Sequence, residues 1–139
     1  WRVLVGYKVA EEEFAALAAE ARRAGEGLIV ERARGDFPTL LMNCRLSISQ
    51  GGYNTVMETL RAGARAVVVP YAGGIETEQT LRARLLAERG RLEVVAEDEL
   101  DADKLAAAVD RALEGPPARA SVDTGGAGKT AALLGEWLA

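Results

Sequence analysis

The 139-residue sequence contains no histidine and one cysteine, and only 5% of it is aromatic. Without an imidazole there is no histidine general base, no histidine-centred triad and no histidine ligand for zinc. A single cysteine, Cys44, cannot close a disulfide within the chain. Its expected role is that of a small buried hydrophobe near a helix end, in a reducing compartment. Basic residues form no stripe: 17 Lys and Arg are interspersed with 21 Asp and Glu, for a net charge of −4. With few aromatics to stack on bases, nucleic acid is not an expected partner. Apolar runs are short, and neither a membrane span nor a signal peptide is legible. The expected location is cytoplasmic, and any membrane association is expected only through parts outside this sequence. The chain opens on Trp1 rather than methionine and enters a strand at once, which leads us to expect a fragment or a processed chain.

An apolar content of 49% with 27% charge suits one soluble domain with a real core. Hydrophobic patterning predicts strands over Arg2–Gly6, Gly27–Ala33, Leu46–Ser49, Ala66–Val69 and Leu92–Ala96. Helices are predicted over Glu11–Ala24, after an Asp36 N-cap with Pro38 in the first turn, from Tyr53 to Gly63, over Glu76–Arg89, after an Asp101 N-cap, and over Lys129–Leu138. Alternation of this kind predicts an α/β fold: a doubly wound, Rossmann-like parallel sheet with helices on both faces. Residues 1–115 are expected to form that domain, and 116–139 a loop and terminal helix packing on it. Ligands of such sheets bind beyond the carboxyl ends of the strands.

Arg45–Tyr71 concentrates the pattern: strand, small-residue turn, helix, buried strand. Its Gln50-Gly51-Gly52 turn opens a helix whose first N–H groups lack partners and carry the positive end of the dipole. Such a turn either receives a phosphate or is small for tight packing alone. Two readings also stand for Glu58. Thr55-Val56-Met57-Glu58 fits a capping box, and a carboxylate one turn into the helix could equally accept the two hydroxyls of a ribose. Glu76, Glu78 and Gln79 are either an ordinary acidic helix start or a group suited to the hydroxyls of a sugar. Thr124–Thr130 resembles a P-loop but has Asp123 where the first glycine is required, so a loop leading into the terminal helix is expected.

Ser47–Gln50, Gly51-Gly52-Tyr53-Asn54-Thr55, Glu58, Gly63-Ala64, Val69-Pro70-Tyr71 and Glu78-Gln79 followed by Arg82-Ala83 form a joint signature. It resembles the C-terminal domain of the family 28, MurG-like glycosyltransferases of GT-B architecture, and most of all a group of bacterial predicted glycosyltransferases. The resemblance covers most of Trp1–Leu113. It implies the nucleotide-sugar half of a two-domain enzyme that moves a hexosyl group, with UDP the implied nucleotide, to a hydroxyl acceptor. Gln50, Gly51, Gly52, Asn54 and Thr55 would lie against the diphosphate, and Glu58 would take the ribose. Tyr71, Ala72, Gly73, Glu78 and Gln79 would lie near the sugar or base. No metal and no cofactor beyond the sugar nucleotide are implied, and the catalytic residue is unassigned. The implied partners are the nucleotide-sugar donor and an acceptor-binding N-terminal domain or partner chain. Trp1–Gly6 aligns better with the second strand of the family pattern, so one central strand is expected to lie outside this sequence, and the fragment alone is expected to be inactive. Other readings are a non-catalytic half subunit of a split glycosyltransferase, a sugar-nucleotide epimerase domain, or a module for another phosphorylated ligand.

Overall fold

The computed structural model describes residues 1–73, 77–115, 123 and 125–138. Glu76 and most of the irregular stretch expected before the terminal helix lie outside the described residues. The chain divides into two compact units, Trp1–Phe37 and Pro38–Ala139.

In the first unit, β1 (Arg2–Val5) and β2 (Ile29–Arg32) pair in parallel, Arg2 opposite Ile29 and Val5 opposite Arg32. The crossover between them is α1 (Glu11–Ala24). Its first turn carries Glu11, Glu12 and Glu13 and its last turn Arg22 and Arg23, so the side-chain charges oppose the helix dipole at both ends. Ala21 and Val5 are buried. Leu17 is exposed, and Phe14 packs under the Arg32 guanidinium, 4.2 Å from the ring centroid. Arg32 also donates to the Gly6 and Val9 carbonyls at 3.2 and 2.8 Å and to Glu11 at 2.6 Å, which pins the loop that follows β1.

Asp36, expected to cap the next helix, is instead gripped by Arg34 through Nε and Nη2 at 2.8 and 2.7 Å. A bidentate, doubly charged pair outcompetes a single cap bond, and it holds the Asp36 carboxyl below the usual carboxylate range. That helix, α2, spans Phe37–Asn43 with Leu41 buried. Cys44, just beyond it, is exposed rather than buried, its Sγ donating to the Leu41 carbonyl at 3.3 Å.

The second unit holds β3 (Ser47–Ser49), β4 (Ala66–Val68) and β5 (Glu93–Val94), all parallel, in the order β3-β4-β5. Their connections are α3 (Tyr53–Ala62) and α4 (Glu78–Glu88), and α5 (Ala102–Glu114) and α6 (Gly126–Leu138) follow. Successive residues of a strand point to opposite faces. Ala66 and Val68 therefore join Val56 of α3, Ala83 and Leu86 of α4 and Leu92 on one side, while Val67 joins Val95 and Ala108 of α5 on the other. Val67 and Val68 are 0% and 1% exposed. Each such side chain contributes about 1.5–3 kcal/mol of hydrophobic stabilisation. Helices thus cover both faces of a parallel sheet, as the alternation predicts.

The described strands pair in parallel within each unit, β1 with β2 in the first and β3-β4-β5 in the second. In the terminal helix no described residue is buried, and Trp137 and Leu138 are 77% and 86% exposed.

Two helix ends in this unit are locked by single residues. Gly63, at φ +66°, ends α3 in a left-handed cap that donates to the Leu60 carbonyl at 3.2 Å. Arg65, next to β4, reaches the carboxyl end of α5 and donates through Nη1 to the Ala112 and Gly115 carbonyls, both at 2.6 Å. A cation there satisfies carbonyls that the helix leaves open and meets the negative end of its dipole. Replacing Arg65 with alanine should lower unfolding free energy by about 1.5–3 kcal/mol, the range for hydrogen bonds to a charged group. Chemical denaturation of the two proteins measures it.

Candidate functional site

At the carboxyl end of β3 the chain must reverse over the sheet to enter α3. Gly51 makes the turn at φ +76°, a conformation that side-chain-bearing residues rarely adopt. The contact beneath it is as restrictive. A β-carbon at Gly51 would lie 2.5 Å from Val68 Cγ1, in the middle of the buried core. The Gly51 N–H donates to Ser49 Oγ at 3.3 Å, and Gly52 is the N-cap of α3 with no side chain to offer. The first bond of the helix runs from Val56 N–H to the Gly52 carbonyl at 3.0 Å. Consequently the N–H groups of Gly52, Tyr53, Asn54 and Thr55 have no hydrogen-bond partner among the described residues. They converge at the positive end of the helix dipole.

The capping-box reading of Thr55 and Glu58 does not hold. Because α3 begins at Tyr53, Thr55 lies inside the helix, where its carbonyl accepts the Thr59 hydroxyl at 2.7 Å. Only a residue just outside the first turn can cap with its side chain. Glu58, half-buried one turn further on, makes no hydrogen bond or ion pair among the described residues.

Two other segments reach the same edge of this sheet. Beyond β4 the Val69 N–H donates to the Ser49 carbonyl at 2.9 Å, keeping the exits of β3 and β4 together. Pro70 is buried, and Tyr71 folds over Gly73 so closely that a β-carbon there would collide with the Tyr71 hydroxyl. The Ala72 N–H donates to Glu97 Oε2 at 2.7 Å. Glu97 opens a 3₁₀ turn, Glu97–Glu99, directly after β5, so the exits of β4 and β5 are tied through one carboxylate.

The third segment is the start of α4, at Glu78 rather than the expected Glu76, which lies outside the described residues. Glu78 forms an ion pair with Arg82, one turn along the same helix. Gln79 points its Oε1 into a buried position with no partner among the described residues. Arg82 crosses to the turn, donating from Nη2 to the Gly51 carbonyl at 3.0 Å and lying 5.5 Å from the centroid of the Tyr53 ring.

The predicted residues of the second unit therefore gather at one sheet edge, with Gln50 and Asn54 exposed, Thr55 and Glu58 half-buried and Tyr71 half-exposed. Ser49 and Arg82 lie in the signature read from the sequence but carry no site role there, and Glu97 is not part of it; in the structure these three hold the segments together. For Arg82 the available signal was its place four residues after Glu78. The Lys129 ammonium is paired with Asp123, which holds that carboxyl below its usual range, so the charge is already partnered.

The architecture is an α/β unit of the kind that forms one half of a GT-B glycosyltransferase. The chain superposes on spinosyn forosaminyltransferase SpnP with a TM-score of 0.64, 20% identity, and coverage of 86% of this chain and 36% of that one. Glycosyltransferase VinC, solved in complex with DTDP, gives 0.57, 22%, 84% and 34%. At these identities the likeness is one of fold. Sequence carries it further: the chain belongs to the glycosyltransferase family 28 C-terminal domain, whose pattern matches residues 23–134.

Curated relatives include the UDP-N-acetylglucosamine--N-acetylmuramyl-(pentapeptide) pyrophosphoryl-undecaprenol N-acetylglucosamine transferases of two bacteria. That of Phenylobacterium zucineum is 33% identical over 69% of this chain and 27% of its own length. That of Rhodopseudomonas palustris is 30% identical over 85% of this chain and 31% of its own length. The chain thus spans less than a third of the length of these relatives. Among the described residues no helix is long and apolar enough to cross a membrane.

Substituting Gly51 with alanine should destabilise the fold by about 2–4 kcal/mol, combining a left-handed conformation with an overpacked contact on Val68. Thermal unfolding of the variant beside Gly52→Ala, where a β-carbon meets open space, checks it. Similar losses at both positions would refute the assignment of the strain to Gly51.

Proposed function

We propose that this chain is the donor-binding half of a glycosyltransferase that passes a hexosyl group from a UDP-sugar to a hydroxyl acceptor. The observation that carries the reading is the entrance of α3. Four N–H groups with no partner among the described residues converge there at the carboxyl edge of a parallel sheet, one helical turn from a half-buried carboxylate that no described residue engages. An anion fits the first, and the vicinal hydroxyls of a ribose fit the second. The names of the curated relatives specify a UDP-linked sugar as donor, which supports uridine as the base.

In this reading the diphosphate lies against Gln50, Gly51, Gly52, Asn54 and Thr55, with Glu58 accepting the ribose hydroxyls. Gln79 and Glu78 face the sugar, and Tyr71, Ala72 and Gly73 line the sugar or base. Transfer forms a bond from the acceptor oxygen to the anomeric carbon as the bond from that carbon to the diphosphate breaks. The electron pair leaves with the diphosphate, and the helix N-terminus stabilises the charge that develops there, without need of a metal. The acceptor proton passes to a base in the acceptor-binding half. The greater length of the relatives supports a second domain or chain in that role, and closing the two halves would orient donor and acceptor.

Calorimetric titration with UDP and with UDP-N-acetylglucosamine tests the reading. Binding is expected, and Glu58→Ala should weaken it by about 1–3 kcal/mol, the usual effect of losing a charged hydrogen-bond acceptor. A cooperatively unfolding protein that binds neither ligand would sink the donor-site reading. Binding that Glu58→Ala leaves unchanged would remove Glu58 from the ribose.

A further inference from the structure

Glycine at position 51 permits the turn, but it also permits its opposite. A residue without a β-carbon passes readily between positive and negative φ, so the peptide plane between Gly51 and Gly52 is free to rotate unless something holds it. That plane matters more than any other in the site. No described peptide bond is cis, so the Gly51 carbonyl and the Gly52 N–H point in opposite directions. If the carbonyl turned toward the ligand side, an oxygen lone pair would face an incoming anion in place of a donor.

The Gly51 carbonyl lies outside the bonding ladder of α3, whose first acceptor is Gly52. What engages it is Arg82 Nη2, at 3.0 Å from a different helix. The guanidinium is well placed to act as a fixed arm. Its side chain is only 14% exposed, its other terminal nitrogen is held by Glu78, and it lies by the ring of Tyr53, the first residue of α3. Pairing with Glu78 offsets its charge, so what Arg82 brings to the turn is mainly direction. A planar fork with two anchored ends fixes a hydrogen bond more firmly than a flexible ammonium would.

We propose that Arg82 is the positioning residue of the anion-binding turn: by holding the Gly51 carbonyl it aims the Gly52 N–H at the diphosphate. The purpose assigned to it rests on the donor-site reading above, while the hydrogen bond it describes does not.

The experiment has two arms on the wild-type protein, Arg82→Met and Arg82→Lys. The first is ligand-free NMR of the Gly51 carbonyl carbon and Gly52 amide nitrogen. Arg82→Met should shift both signals, and Arg82→Lys, which keeps one charged donor, should shift them less. A folded Arg82→Met protein with both signals unmoved overturns the proposal. The second arm is titration with UDP and with uridine. UDP affinity should fall about tenfold or more in Arg82→Met, and less in Arg82→Lys, with uridine binding unchanged in both, because only the diphosphate meets the turn. Equal UDP affinity in wild type and Arg82→Met overturns the proposal and leaves the donor site standing. Failure of the wild-type protein to bind UDP overturns the donor-site reading and the purpose of Arg82 with it. Should Arg82→Met not fold, Arg82→Lys carries both arms, and a lysine protein identical to wild type in signals and affinity refutes the need for the guanidinium fork.

Discussion

The contact between Gly51 and Val68 constrains everything around it. Val68 has to be buried, because it lies on the inner face of the central strand beneath two helices. The chain leaving β3 has to pass directly over it to enter α3. Only a residue with no β-carbon and a positive φ can do both, and that same geometry presents the open end of the helix beyond the edge of the sheet. Core packing and ligand approach are thus two consequences of one missing side chain. The glycine whose role was left open between packing and phosphate binding meets the packing requirement outright, and the proposed anion site is built on top of it.

Recognition through backbone N–H groups has a chemical limit. The groups at Gly52–Thr55 offer charge complementarity but nothing that separates one nucleotide from another. Discrimination has to come from side chains around them. The candidates are spread over three segments, with Glu58 inside α3, Tyr71–Gly73 after β4, and Glu78 and Gln79 at the start of α4. Their mutual placement depends on residues that touch no proposed ligand atom: Ser49 under the turn, Glu97 on the Ala72 N–H, and Arg82 across to Gly51.

Local patterns in this chain were legible, and long-range ones were not. Ala66–Val68 reads as a strand covered on both faces from its composition alone, and the structure buries it on both. Asp101 reads as an N-cap and is one, donated to by the Lys104 N–H at 2.7 Å. Both features depend on residues within a few positions of each other. Asp36 fails by the same logic, since its spacing suits a cap but an arginine two residues earlier competes for the carboxylate. Thr55 and Glu58 fit a capping box at the right spacing, yet the helix begins earlier, because a glycine N-cap leaves no side-chain signature. Cys44 reads as interior from its chemistry, which says what a residue prefers and not whether a neighbour is there to cover it. The segment-to-segment ties through Arg82 and Glu97 join residues 31 and 25 positions apart, and no period in the sequence encodes them.

Among the described strands β4 is the one with a parallel neighbour on each side. Its backbone can be exposed to solvent only by excursions that also open β3 or β5, whereas outer strands and exposed helices fray on their own. Amide protons of Val67 and Val68 should therefore be among the slowest in the chain to exchange with deuterium. The surface on which Gly51 rests is in this sense the last part of the unit to dissolve, so the entrance of α3 keeps its shape through fluctuations that loosen its surroundings.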